Sequence, residues 1–282
     1  MKILPLLSTF AFCFVVEACG QIAHGAAAPL PFTTTALIDE LVDIDAPAAG
    51  LHPTLFDTTF LGDGSADRIE GGVFGSQAPK RFPQMVELVR RGIDALPTLV
   101  EHLNDRRETK LVVGNGFFMF REFSDEYDPK IRTSSRGGGI ASLSHIGDDR
   151  AAFRSMFDHS FDGPYTVKVG DVCYALIGQI VNRRFFAVRY QPSAGLVVSS
   201  PIESPVLIEA VTKDWGTIDS EGLKASFLSD AQSHLTYFYE PALQHLRFYF
   251  PLEYQKRSAG GELADKIHAY ETRLNMAAIR DR

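Results

Sequence analysis

Residues Val172 to Asn182 place apolar side chains around most of a helical circumference. A helix that is apolar on nearly every side is stable only when other elements enclose it, so this stretch predicts a helix at the centre of the core. Gly170-Asp171 supplies its start, and the rest of the chain must supply its shell. Gly178 allows close approach of a neighbour, while Gln179 and Asn182 bring amides to the far end. If the region carries a functional polar cluster, its members are Asp171, Gln179, Asn182, Arg183, Arg189 and Tyr190. The competing expectation is that these residues cap and brace the helix.

The amphipathic segments predict a shell that is itself mostly helical. Ala36 to Asp45 spaces Leu37, Leu41 and Ile44 by three and four, with acidic residues between them. Phe82 to Arg91 and Asp94 to Leu103 form a second and third, separated at Gly92, with Pro97 tolerable in a first turn. Pro205 to Trp215, Ser220 to Ser229 and Glu262 to Arg282 continue the pattern, the first two with a Ser available as cap. Residues 234–255 are dense in aromatics, divided by Pro241 and Pro251, and at helical spacing such residues are usually core. Strand signals are fewer. Leu111-Val112-Val113 and Phe117 to Phe120 flank Gly114-Asn115-Gly116 and predict a β-hairpin, with further strands at 165–169, 185–190 and 196–198. The expected fold class is mainly α with a minor β component.

The wording Asp94-Ala95-Leu96-Pro97-x-Leu99-Val100-x-x-Leu103, behind the Phe82–Arg91 helix, resembles a HEAT-like helical hairpin over residues 82–104. The block Gly170 to Arg183 with Ala187 to Pro192 is similar to exported bacterial proteins that carry such hairpins. The resemblance implies αα-hairpins around a central helix and an extended surface for a protein or peptide partner. A second copy at the roughly 40-residue period of an array is not evident.

The amino terminus predicts export. Lys2 precedes an apolar run from Ile3 to Val16, followed by small residues, the three-part form of a secretory signal and shorter than the ~20 residues of a spanning helix. Cleavage after Gly20 or Gly25 suits a signal peptide within 1–25, leaving 26–282 as one helical domain with a flexible Gly-rich insertion at 121–164. Val16-Glu17-Ala18-Cys19 also resembles a lipobox, with Glu17 as the departure. Lipidation at Cys19 would hold the protein on a membrane surface without a transmembrane segment in the mature chain. Cys173, in an apolar stretch, is expected to be a small buried hydrophobe.

Charge narrows the partners. With 28 basic and 35 acidic residues the net charge is −7, and the basic doublets at 90–91, 106–107 and 183–184 are far apart in sequence, so nucleic acid is not an expected partner. Ligand patterns for metals and cofactors are missing: Asp63-x-Ser65-x-Asp67 lacks the Gly and Glu of a calcium loop, and no zinc spacing or nucleotide fingerprint occurs. No cofactor or metal is expected. Ser142, Ser144, His145, Asp148 and Asp149 collect the residue types of a hydrolytic triad without a nucleophile elbow. Histidines elsewhere, His234 and His245 among them, are expected at the surface or with a single hydrogen bond. Two functions follow as expectations: an exported, non-enzymatic interaction or scaffold protein, or an exported hydrolase of cell-envelope or polysaccharide material with its site in the loops at 50–80 or 121–164.

Overall fold

A computed structural model describes residues 30–48, 51, 60–63, 79–114, 118–121, 164–190 and 195–280. The chain is mainly helical with a minor β part. Helix α1 spans Thr34–Asp39, capped by Thr33 Oγ1, and tightens into a 3-10 turn over Glu40–Asp43. Helices α2 (Pro83–Arg91) and α3 (Leu96–Glu101) follow, joined by a 3-10 turn at Gly92–Asp94. Proline stands in the first turn of each, where its missing N–H costs nothing.

The central helix is α4, Val169–Val181, and every residue in it except Gln179 is buried. Both α2 and α3 pack on it, and the 3-10 turn at Pro201–Glu203 closes over its start. After it come α5 (Pro205–Trp215), α6 (Ser220–Ala231), α7 (Thr236–Tyr249), α8 (Pro251–Ser258) and α9 (Ala264–Arg280). The caps of the first two differ in kind: Ser204 accepts from Leu207 N–H as expected, but at α6 the acceptor is Asp219, one residue before Ser220. Helix α7 runs unbroken through Pro241 and packs against α6, α8 and α9.

The β part departs from the hairpin expectation. Strands β1 (Glu108–Val113) and β2 (Phe118–Arg121) belong to different sheets. β1 pairs antiparallel with β3 (Tyr165–Lys168), and β2 pairs parallel with β5 (Gly195–Val198), which in turn pairs antiparallel with β4 (Val188–Tyr190). Of the Gly114-Asn115-Gly116 signal only Gly114 lies among the described residues. β1 buries alternate residues, and its pairing with β3, which leads directly into α4, shifts register between Glu108 and Val112.

Long-range polar ties fasten the shell. The Arg91 guanidinium donates to Glu87 Oε1, Thr34 Oγ1 and the carbonyls of Leu30 and Phe32, binding the first described residues to α2. Lys266 Nζ on α9 donates to the carbonyls of Ala231, Gln232 and Ser233 at 2.9–3.0 Å, closing the end of α6. Tyr249 on α7 donates to the Val89 carbonyl at the end of α2 and lays its ring on Gly92. Gly92 has φ +55°, and a Cβ there would lie 2.6 Å from the Tyr249 ring. Gly92→Ala should therefore lower stability by at least about 1 kcal/mol, read from the urea midpoint, through both backbone strain and the displaced ring.

Candidate functional site

Four of the six candidate residues divide between the two ends of α4, and the other two lie on β4. Asp171 and Asn182 are eleven residues apart on one helix, hence about 16 Å along its axis, too far to act on one ligand atom.

At the amino-terminal end, Asp171 is fully buried and its carboxylate collects three donors. Tyr165 Oη and Lys168 N–H donate to Oδ2 at 2.7 and 2.8 Å, and Ser200 Oγ donates to Oδ1 at 2.5 Å. Ser200 Oγ in turn accepts from Ile202 N–H. Two N–H groups of the first turn are taken by main chain: Val169 donates to Arg107 O and Gly170 to Asp105 O. The Asp105 side chain is a local hub; burial opposes its charge, but hydrogen bonds from Arg107 and His102 hold its pKa at about 2. Burial drives the Asp171 pKa up, against the hydrogen bonds from Ser200, Lys168 and Tyr165 that favour its anion. Burial also raises Tyr165, helped by the neighbouring Asp171.

At the carboxyl-terminal end, Asn182 adopts φ +57° and stops the helix. The chain then folds back across Gly178, where a Cβ would lie 2.7 Å from Arg183 O and 2.8 Å from Phe185 Cβ. Arg183 reaches α6: it pairs with Asp230, donates to Ser226 Oγ at 3.0 Å, and lies 5.3 Å from the Trp215 ring of α5. Gln179 Oε1 accepts from Leu61 N–H at 3.1 Å, tying residues 60–63 to the helix. These contacts are the caps and braces of a buried helix. Arg189 and Tyr190 lie on β4, in register with Val197 and Leu196 of β5. Cys19 lies outside the described residues, as do Ser142, Ser144, His145, Asp148 and Asp149. Cys173 is free and buried, and burial pushes its thiol pKa far up, which removes nucleophilic character at neutral pH.

Of the two expectations for His245, a surface position or a single hydrogen bond, the structure excludes the first. The residue is buried, with main-chain oxygens against both ring nitrogens, in a box formed by Phe60, Phe227 and Tyr249. The clue in the sequence was its position one turn after Pro241 inside the aromatic band. Partners such as Ser200, Asp230 and Ser226 carried no such signal, since they stand 29 to 47 residues from the groups they bind. No group of His, Cys, Asp and Glu among the described residues is arranged to hold a metal, and no described helix is long and apolar enough to cross a membrane.

No protein-family model matches the chain, and neither a curated protein nor a solved structure matches it.

The Asp171 node makes a two-part prediction. Asp171→Ala strands three buried donors and should cost about 3 kcal/mol in urea unfolding. With its folded pKa above the unfolded value, Asp171 adds most stability below the ordinary carboxylate range and loses it as pH rises through the folded pKa. Asp171→Asn keeps an acceptor but cannot ionise, so the decline in stability expected of the wild type as pH rises above the ordinary carboxylate range should flatten.

Proposed function

We propose that this protein is an exported, non-enzymatic interaction or scaffold protein that binds a protein or peptide partner through helical-hairpin surfaces. The observation that carries the reading is the distribution of exposed apolar side chains. Of the eight large ones among the described residues, Val206, Phe238, Leu252, Met276 and Ile279 fall in the carboxyl-terminal helices and Leu235 immediately precedes α7. Leu252 is 80% exposed and Ile279 73%, levels at which a side chain gains nothing from the fold itself. The α2–α3 hairpin that carries the HEAT-like wording is not the surface in question. Gln84 to Val89 of α2 are all buried, so that hairpin serves the core, and the docking face is assigned to the α8–α9 hairpin. Export rests on the amino-terminal signal pattern, and a lipid at Cys19 is the variant of that reading that would hold the protein at a membrane surface. The polar residues around α4 are committed to structural partners, which favours binding over catalysis.

The test is capture from envelope extract by the secreted chain, alongside Leu252→Glu and Ile279→Glu. A specific partner bound by the wild type and reduced at least about tenfold by either charge, with thermal midpoints unchanged, is the expected outcome. Hydrolysis of envelope polysaccharide by the same preparation, with capture unaffected by both charges, would contradict it.

A further inference from the structure

The two contacts of the His245 ring place opposite demands on it. Nδ1 lies 2.7 Å from the Pro241 carbonyl oxygen, one turn back on α7, and Nε2 lies 2.7 Å from the Gln179 carbonyl oxygen on α4. A carbonyl oxygen only accepts, and a neutral imidazole has a single N–H. The neutral ring can hold one of these oxygens at hydrogen-bond distance, while its second nitrogen meets the other lone pair to lone pair. Only the imidazolium donates to both.

The surroundings do not make the charged form free. The residue is 5% exposed, with ring centroids of Phe60 at 4.2 Å, Phe227 at 5.4 Å and Tyr249 at 6.2 Å. Burial is the largest influence and lowers the pKa; the two carbonyls and Asp63 act upward, and Arg183 acts downward. Asp63 comes from the 60–63 segment and is held by Gln244 Nε2 at 2.6 Å. Arg183 comes from the end of α4 and is paired with Asp230 of α6. Tyr249, on α7 itself, remains a neutral phenol because burial raises its pKa well above the ordinary value. The aromatic faces favour a cation once it forms.

We propose that His245 is a titrating pin between α4 and α7: neutral, it holds one of the two carbonyls; protonated, it holds both, so the seat of α7 on α4 and on residues 60–63 changes when the ring gains its second proton. Helix α7 touches α6, α8 and α9, and through Tyr249 the end of α2, so this seat positions the carboxyl-terminal helices against the central one. The sign for global stability is opposite to the local one. A folded pKa below the unfolded value of about 6.5 means that stability is full above that pH and falls as the pH drops toward the folded pKa. Acid thus adds a hydrogen bond at the pin while lowering the stability of the whole.

Nitrogen-15 NMR of the imidazole in the full chain, titrated from pH 8 to 4.5, tests this. The expected result is one titration below the ordinary histidine midpoint. Above it one ring nitrogen is unprotonated; below it both carry hydrogen-bonded protons, and the Leu61 and Ile180 amides shift with the same midpoint. Asp63→Asn should move that midpoint to lower pH, and His245→Gln should abolish the coupled amide shifts. A ring that keeps one protonation state throughout, or that titrates while those amides stay still, overturns the proposal. Should His245→Gln fail to fold, the wild-type titration and the Asp63→Asn shift decide it alone.

Discussion

The structure depends on one constraint: a thirteen-residue helix, α4, is buried along nearly its whole length, so both of its ends must be satisfied by protein instead of water. Burying an apolar cylinder is favourable, but each unpaired main-chain group at its ends would cost on the order of 1–3 kcal/mol. The amino-terminal donors are taken by the Asp171 carboxylate and by the carbonyls of Asp105 and Arg107. At the other end, Gly178 O accepts from Arg183 N–H, and Gln179 O lies against the His245 ring. The partners come from the turn after α3, from the residues following β5, and from α7. Enclosing α4 therefore fixes where three separate parts of the chain must lie.

This explains why polar residues near α4 look like a site when read in sequence order. Asp171, Gln179, Asn182 and Arg183 are close in sequence, are of types that perform chemistry, and sit beside an apolar stretch. In space they are end fittings. Asp171 faces Tyr165 and Ser200, and Arg183 faces Asp230, Ser226 and Trp215. A buried polar group with all of its partners present rigidifies a core, and that role needs the same residue types as catalysis does. Most of the exposed large apolar side chains among the described residues lie elsewhere, in the part of the chain that follows α4.

What could be read in advance divides by range. Helices α2, α4, α5 and α9 were legible because a 3.6-residue period, a capping residue and a first-turn proline are local signals. The burial of Cys173 was legible for the same reason, since its neighbours are apolar on every side. Strand pairing was not: the Gly114-Asn115-Gly116 signal favours a hairpin, yet β1 found β3 fifty residues on, and β2 found β5. Nor was the Arg183–Asp230 pair, because a surface-compatible Asp in α6 has no pattern that marks it as a partner. His245 fell between the two cases. Pro241 argues for a broken helix, yet α7 continues through it and the ring meets Phe60 and Phe227 in the interior.

The central claim is that α4 is the element on which the rest is assembled, and amide hydrogen exchange on the full chain measures it most directly. The amides of Leu176, Ile177 and Ile180 should exchange only through global unfolding, with an opening free energy equal to that from urea denaturation. The amides near the end of α9, where Met276 and Ile279 are exposed, should open at much lower free energy. If the α4 amides exchanged through a local opening well below the global value, as readily as those of α9, the helix would not be the enclosed centre described here.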